Sequence, residues 1–329
     1  MNQFRNGRIT DAPASPPGHR REEPSSVGRF AHIAFRGRRV ALEVPFPWRE
    51  KPSPRPRAGL CREEVAPGQE TPEARLIEQV VGSISLEREQ YRLTPLVRRI
   101  PACLRALRTD SIEAAISLLD RHPKLMPRAL DALLIGTTGF FRDEAVFNAL
   151  ENTFVPALAA ERWHPRVWSA ACSDGSELYS AAMMFALCGV RGRGRFLGTD
   201  CRASVLEKAR RGLCSDAALS GLREPYRSMF VAAGREGREI SSELRSGIEW
   251  KAGDVLRDEV QGEWDLIFCR NLAIYLHPEA AECLWAKLAS ALATGGILVV
   301  GKAEKPRVSC LKKAGPSIYR KIQISSAKG

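Results

Sequence analysis

Residues 167–187 read VWSAACSDGSELYSAAMMFAL, and this stretch decides the fold class. Its pattern predicts a buried strand that ends near Cys172, then a short polar loop, then a helix. Gly175 permits a tight turn in the loop, and the first turn of the helix leaves backbone N–H groups free. The GxGxxG spacing by which a dinucleotide fold admits a pyrophosphate is absent from this loop. Its acidic residues, Asp174 and Glu177, would repel a phosphate and suit a ligand that carries an ammonium or sulfonium group.

The same alternation of strand and helix continues along the rest of the chain. The strand candidates are RVWSAAC, RGRFLGTD, GIEWKAGDV, WDLIFCRN and GILVVGK, and the helical stretches include SELYSAAMMFALCG, ASVLEKARRG and PEAAECLWAKLASALATGG. Nearly continuous apolar strands that alternate with amphipathic helices are typical of a parallel sheet covered on both faces. Residues 136–329 are therefore predicted to form a doubly wound α/β domain, in which ligands bind at the carboxyl ends of the strands.

Two further segments precede this domain. Residues 71–135 show apolar residues at spacings of three and four, which predict a small all-helical domain with Ser111 as a candidate N-cap. Within it we expect Pro101 to kink a basic helix, at about 3 kcal/mol if it lies in the helix interior. Residues 1–70 are rich in Pro and Arg and are predicted to be a mostly disordered extension, with one hairpin candidate around Gly37.

Composition narrows the class of partner and the location. The formal net charge of +12 favours an acidic partner, and an acidic protein ranks above nucleic acid because zinc-finger, helix-turn-helix and RNA-binding signatures are missing. Nine cysteines are scattered without a CxxC pair or metal-ligand spacing, which predicts no metal and favours reduced thiols in a cytoplasmic protein. Membrane insertion is not expected, since no apolar run approaches the roughly 20 residues that span a bilayer.

Polar residues follow four consecutive strands, where a ligand site of this fold class would lie. Asp200 follows the second strand. Its distance in sequence from the first loop is about that of the acid that accepts hydrogen bonds from ribose hydroxyls in this fold class. Asp254 follows the third strand and could reach an adenine amino group. Each of them could instead be an ordinary helix cap or turn residue. After the fourth strand come Arg270, Asn271 and Tyr275, for which a surface ion pair and a half-buried ring are the alternatives.

Five ordered motifs resemble one known family. They are LLIGTTGFFRD, RVWSAACSDGSELYS, FLGTD with VLEKARRG, WDLIFCRNLAIYL and ALATGGILVVGKAE. Together they resemble the CheR family, the protein-glutamate O-methyltransferases of bacterial chemotaxis, which methylate receptor glutamates with S-adenosylmethionine. The resemblance covers about residues 75–322 and leaves the extension unaccounted for. It implies a Rossmann-like methyltransferase domain, S-adenosylhomocysteine as product and no metal.

The resemblance also implies a role for each of the nine candidate site residues. Glu177 matches the family acid that binds the cofactor's amino group, and Asp200 matches the ribose-binding acid. Asp254 and Val255 match the residues that contact adenine, and Arg270 and Asn271 match a further cofactor-binding pair. Thr138 and Arg142 match cofactor contacts at the junction with the helical domain. Arg142 and Tyr275 match the residues of the catalytic cleft.

The expected substrate is the acidic helical region of a methyl-accepting chemoreceptor. The family counterpart of the helical domain packs near such helices, and a basic face would steer them, although an ordinary solvated helix face is the alternative. The arginines concerned are Arg92, Arg98, Arg99, Arg105 and Arg108. Residues 221–247 correspond to a small β-containing insertion that the family uses in receptor binding.

Several positions depart from the family pattern. Gly136 stands where a cofactor-contacting Asn is usual, and the loop has Asp174, Ser176 and Leu178 where Thr, Glu and Pro are common. The ending GKAEKP replaces the usual GHSES. These departures keep open a second hypothesis, a catalytically weakened member that binds cofactor or a partner as a signalling module. A nucleic-acid methyltransferase is disfavoured, because the NPPY-like and catalytic Pro-Cys motifs are missing.

Overall fold

The computed structural model describes residues 31–35, 38–42, 71–84, 86–134, 138–234, 237–260 and 262–323. The chain divides into two compact units, Met1–Val65 and Ala66–Gly329. In the first, β1 (Ala31–Phe35) and β2 (Arg38–Leu42) pair antiparallel, with Ala31 opposite Leu42. The predicted hairpin is therefore confirmed, while the rest of the predicted disordered extension lies outside the described residues.

The described residues of the helical region in the second unit form five α-helices. They are α1 (Pro72–Gly82), α2 (Leu93–Val97), α3 (Ile100–Leu107), α4 (Ile112–Arg121) and α5 (Met126–Leu133). Ser111 caps α4 as expected, since its Oγ accepts the Ala114 N–H at 3.1 Å. The basic stretch is interrupted just before Pro101, because α2 ends at Val97 and α3 begins at Ile100. Pro101 kinks no helix interior: it lies in the first turn of α3, where a backbone N–H would lack a helical partner in any case.

The remainder of the second unit is an α/β domain. Its first half contains α6 (Glu144–Ala149), a π-helical turn (Leu150–Phe154), α7 (Val155–Glu161), β3 (Arg166–Ala170), α8 (Ser176–Leu187), β4 (Arg195–Asp200) and α9 (Ala203–Arg211). Next come β5 (Leu213–Cys214), α10 (Asp216–Leu219), β6 (Phe230–Ala232), β7 (Arg238–Ile240) and α11 (Ser242–Ser246). The last elements are β8 (Ile248–Ala252), β9 (Trp264–Cys269), α12 (Pro278–Ala291), β10 (Leu292–Val300), β11 (Leu311–Gly315) and β12 (Ile318–Lys321).

Seven of these strands form one sheet in the order β11-β12-β10-β9-β3-β4-β8. The five strands from β10 to β8 are parallel, and β12 and β11 extend the sheet antiparallel. The predicted doubly wound α/β fold is thus confirmed, with all five predicted strands present and the β11–β12 hairpin in addition. The chain steps from β3 to β4 and β8 on one side, then returns to β9 on the other. The strand order therefore reverses between β3 and β9, which is where this fold class binds ligands.

Alternate residues of the central strands face two separate cores, as the two-residue period of a strand requires. Trp168 and Ile267 pack with helices α1–α5 and α12 on one face. Val167, Leu266 and Phe268 pack with helices α6–α8 on the other. Every residue of β9 is buried. Both faces of the sheet centre are therefore covered, and its carboxyl edge is left as the place for a ligand.

A second, small antiparallel sheet has the strand order β5-β7-β6. Leu213 of β5 lies opposite Glu239 of β7, and Phe230 of β6 lies opposite Ile240. Two of its three strands fall within residues 221–247, the segment expected to form a β-containing insertion. The third, β5, follows α9 directly and so begins the sheet earlier along the chain.

Candidate active site

A cavity of about 230 Å³ opens at the carboxyl ends of β3, β4 and β9. The loops after these three strands form most of its wall, and Tyr91 and Leu134 of the helical region close another side. Seven of the nine candidate residues line it: Thr138, Arg142, Glu177, Asp200, Arg270, Asn271 and Tyr275. The other two, Asp254 and Val255, line a second cavity of about 240 Å³ with Trp168 and Trp264.

The loop after β3 has a backbone that few sequences tolerate. Ala171, Ser173 and Gly175 all have left-handed φ angles, of 56°, 52° and 81°. A Cβ on Gly175 would lie 2.3 Å from the Trp250 ring, so only glycine fits there. Asp174 accepts the Ser176 N–H at 3.0 Å from the position before Gly175, the N-cap residue of α8, so it supports the start of the helix, close to the alternative role considered for this acid. Glu177 is therefore the acid of this loop that faces the cavity.

The Glu177 carboxylate is held between two strands. Its Oε1 accepts the Ser169 hydroxyl at 2.9 Å, and its Oε2 accepts Nη1 of Arg270 at 2.9 Å. The Arg270 side chain is only 6% exposed; it also donates to the Arg142 carbonyl at 3.3 Å and pairs with the Asp143 carboxylate. Arg270 thus joins the end of β9 to α8 and to the segment that carries Arg142.

Asp200 is paired with a neighbour that the sequence interpretation missed. Its Oδ1 accepts the backbone N–H and Nε of Arg202, both at 3.0 Å, and its Oδ2 accepts the Ser173 N–H at 2.9 Å. Nη1 of Arg202 donates to the Leu134 carbonyl at 2.7 Å, which ties this acid to the end of α5. Burial opposes the charged form of Arg202, yet Asp200 holds the pKa of the guanidinium above its ordinary value. An arginine two residues after an acid at a strand end was the available signal.

Asp254 has an acceptor atom without a donor. Its Oδ1 accepts the Leu256 N–H at 2.9 Å, whereas the buried Oδ2 has no hydrogen-bond partner in the described residues. Burial raises the pKa of Asp254 above its ordinary value. Asp254 does not line the first cavity, but it lies near Tyr91, which lines it. The pKa of Tyr91 is raised, first by burial and then by the charge of Asp254. A ligand that reaches Asp254 would find an acceptor ready for an N–H donor.

The turn after β9 places Asn271 and Tyr275 in the cavity wall. Asn271 has a left-handed φ of 61°, and its N–H donates to the buried Glu304 carboxylate at 3.0 Å. The Tyr275 carbonyl accepts the Arg92 N–H at 2.7 Å, so the turn is also tied to the helical region. Glu304 lies in GKAEKP, which the sequence interpretation treated only as a departure from a family ending.

Thr138 and Arg142 belong to a loop with two left-handed residues, Phe141 (φ 51°) and Asp143 (φ 68°). The Phe141 N–H donates to the Ser180 hydroxyl at 3.0 Å, which anchors this loop on α8. The Arg142 side chain is exposed at the cavity mouth. Gly136, the departure from the family's Asn, lies outside the described residues.

The donor set of this site suits a polar organic ligand. Carboxylates at the ends of β3 and β4 accept from amino or hydroxyl groups, while the guanidiniums of Arg142 and Arg270 suit a carboxylate. Within the described ranges, no group of three or more His, Cys, Asp or Glu side chains could hold a metal ion. The described part of the chain also contains no helix that is long and apolar enough to cross a membrane.

A family model and several known proteins match this chain. The family model described as "CheR methyltransferase, SAM binding domain" matches residues 136–314. A chemotaxis protein methyltransferase of Vibrio parahaemolyticus is 31% identical over 244 residues, which cover 70% of this chain and 86% of that protein. One of Listeria innocua is 30% identical over 224 residues, covering 68% of this chain and 85% of that protein. Chemotaxis protein methyltransferase 1 of Vibrio cholerae is 29% identical over 243 residues, covering 70% and 86%.

Proposed function

Because this chain belongs to the CheR methyltransferase family, we propose that it transfers a methyl group from S-adenosylmethionine to glutamate carboxylates of a chemoreceptor-like protein. The products would be glutamyl methyl esters and S-adenosylhomocysteine, in chemotaxis or related signalling. The observation that carries the proposal is the single cavity in which Glu177, Asp200 and Arg142 meet at the reversal of strand order. We propose no metal for this chemistry.

The chain's own groups fit the polar ends of this cofactor. When bound, S-adenosylmethionine supplies a methyl group on an electron-poor sulfonium sulfur. Glu177 would accept from the amino group, with Arg270, Asn271 and Thr138 as further contacts. Asp200 would accept from the ribose hydroxyls. The Oδ2 atom of Asp200 also accepts a hydrogen bond from Nη2 of Arg202 at 3.4 Å, a weak contact that a ribose hydroxyl can replace.

The adenine end is proposed to reach the Asp254 and Val255 segment. The buried Oδ2 of Asp254 lacks a donor, and an adenine amino group would supply one. Because Tyr91 lies near Asp254 and lines the main cavity, this end of the site is bounded by the helical region.

Methylation of a carboxylate makes few demands on acid–base groups. A glutamate is ionised above about pH 5, so its oxygen needs no general base. What helps is placement of the oxygen in line with the methyl group and exclusion of water. Arg142, exposed at the mouth of the cavity, would orient the incoming carboxylate through a forked hydrogen bond. Tyr275, on the turn after β9, would position the carboxylate or the departing methyl group.

We propose that the acidic helical region of the receptor meets the basic face of the helical region. Arg92, Arg98, Arg105 and Arg108 are exposed on α2, α3 and their ends, and so can steer an acidic partner. Arg99 is half-buried and donates to the Ala132 carbonyl at 3.3 Å, so it takes no part. We place the reaction in the cytoplasm, which the free thiols of the described cysteines support.

The test has two stages with the full chain. Calorimetric titration with S-adenosylmethionine and S-adenosylhomocysteine should give micromolar binding. Incubation with methyl-tritiated cofactor and the cytoplasmic part of a methyl-accepting receptor should then label the receptor. Mild alkali should release that label as methanol, as expected for esters but not for N-methyl groups. Cofactor binding without alkali-labile transfer to any receptor would favour the weakened signalling module instead.

A further inference from the structure

Glu304 is a buried carboxylate that joins two loops at the edge of the cavity. Its residue is 6% exposed. Oε2 accepts the N–H groups of Asn271 at 3.0 Å and Gly301 at 2.6 Å, and Oε1 accepts that of Ala273 at 2.8 Å. One side chain from the loop after β10 therefore holds the backbone of the turn after β9.

The turn that Glu304 holds has a conformation that needs support. Asn271 is left-handed at φ 61°, which is uncommon for a residue with a Cβ. The segment from Asn271 to Tyr275 supplies four residues to the cavity wall: Asn271, Leu272, Ile274 and Tyr275. Hydrogen bonds to an ionised acceptor are roughly twice as strong as neutral ones, so a carboxylate is well suited to fix this backbone.

Gly301 lies where the carboxylate and the turn come closest. A Cβ added there would stand 2.7 Å from Oε2 of Glu304 and 2.9 Å from the backbone nitrogen of Asn271. Both distances are shorter than a Cβ tolerates, so the glycine leaves room for the Glu304 to Asn271 hydrogen bond. Gly301 and Glu304 thus act together to fix the conformation of the turn after β9.

We propose that Glu304 is a positioning residue for methyl transfer: it fixes the segment 271–275 so that Asn271 meets the cofactor and Tyr275 meets the acceptor. Glu304 is not part of the cavity lining and acts through the backbone it holds. The inference rests on the proposed function, because only methyl transfer makes the placement of Asn271 and Tyr275 important. The conformation of the turn itself can be tested without cofactor.

Two variants and a matched control separate positioning from general support of the fold. Glu304→Gln keeps the shape but turns one acceptor oxygen into an NH₂ group that faces N–H donors. Gly301→Ala keeps Glu304 and displaces its carboxylate. Asp265→Asn is the control: Asp265 is also a buried carboxylate, 6% exposed and on β9, but it accepts the Arg166 N–H at 2.9 Å at the opposite end of that strand.

The first measurement uses hydrogen exchange of the full chain without ligand. Amides of the segment 271–275 should exchange at least tenfold faster in Glu304→Gln and Gly301→Ala than in the parent protein and in Asp265→Asn. Exchange that stays unchanged in Glu304→Gln overturns the inference, whatever the protein methylates. A parent protein that binds no S-adenosylhomocysteine would contradict the proposed function and leave this measurement intact.

The second measurement uses calorimetry and methyl transfer, both expressed per binding-competent site. Glu304→Gln and Gly301→Ala should each raise the Kd for S-adenosylhomocysteine and lower kcat by at least tenfold. Asp265→Asn should melt earlier yet keep both constants within about twofold. Glu304→Gln could instead show fewer binding-competent sites, each with the Kd and kcat of the parent. That result would mean that the residue only supports the fold, and it would overturn the inference.

Discussion

The pairing of Asp200 with Arg202 predicts that two neighbouring substitutions, which damage the fold alike, differ in their effect on cofactor binding. The two side chains are 3% and 7% exposed and lie 3.0 Å apart. Removing one partner of a pair this deeply buried leaves the other charge without its main counter-ion, at about 3–5 kcal/mol. Both Asp200→Ala and Arg202→Ala should therefore lower Tm, by roughly 6–20 °C at 2–4 °C per kcal/mol.

The double variant should be far less damaged than the sum of the two single ones. With both charges gone, no unpaired ion remains, and interaction energies of contacting residues reach about 0.5–3 kcal/mol. Urea unfolding of the four proteins gives the coupling directly. Free energies of unfolding that add within about 0.5 kcal/mol would refute the pair as a stabilising unit.

Cofactor binding then separates the two members of the pair. A hydrogen bond from a ribose hydroxyl to a charged acceptor contributes about 1.5–3 kcal/mol, so Asp200→Ala should weaken S-adenosylhomocysteine binding by roughly 10- to 100-fold. Arg202→Ala removes a competing donor and keeps the carboxylate, so its Kd should stay near the parent value or fall. Calorimetry at a temperature where each variant is folded measures both. Equal loss of affinity in the two variants would refute direct contact between Asp200 and the cofactor.

Three further predictions concern turnover, substrate docking and pH. Arg142→Ala should lower kcat about a hundredfold, as expected for a misplaced substrate, while the calorimetric Kd for S-adenosylhomocysteine changes less than threefold; an equally large rise in Kd would count against an acceptor-orienting role. The double variant Arg98→Glu/Arg105→Glu should raise the KM for the receptor and flatten its salt dependence without changing cofactor affinity, whereas a salt-independent KM in the parent would remove the electrostatic basis. Burial raises the pKa of Asp254 above 3.8, so the native state binds this proton more readily than the unfolded state. The group therefore favours folding at low pH, and this contribution to stability is lost as pH rises through the raised pKa. Urea unfolding should therefore show Asp254→Asn gaining stability over the parent as pH rises, and a constant difference would contradict this.

The strands and helices of the α/β domain could be predicted because each carries its own period. The helix from Ser176 and the run of Trp264–Cys269, which is apolar except for Asp265, are local patterns, and tertiary packing preserves them. The hairpin of Leu311–Gly315 and Ile318–Lys321 was missed, since LKKAGPSIYRK mixes lysines with Gly and Pro and shows little alternation. Pairing with β10, in which Ile297 lies opposite Arg320, makes it part of the sheet.

The candidate site divides in the same way between local and long-range signals. Residues directly after a strand, such as Glu177 and Asp200, could be found because parallel strands deliver their carboxyl ends to one edge. Glu304 holds the turn through the N–H groups of Asn271 and Ala273, which lie 33 and 31 positions earlier. No spacing rule predicts such a contact from a single sequence. Arg202 is local to Asp200, but its second anchor, the Leu134 carbonyl, is 68 residues away.

The two pairs of an acid with an arginine bear on how the pocket would bind its ligand. Both acids proposed to hold the cofactor are already hydrogen-bonded to an arginine, Glu177 to Arg270 and Asp200 to Arg202. Pairing orients each carboxylate in a buried wall, where an unpaired charge would be unfavourable. It also means that ligand donors must share acceptors that are in use, so binding gains less from each hydrogen bond than bare carboxylates would give. Selectivity therefore depends on whether a ligand's donors match the lone pairs that the two arginines leave available.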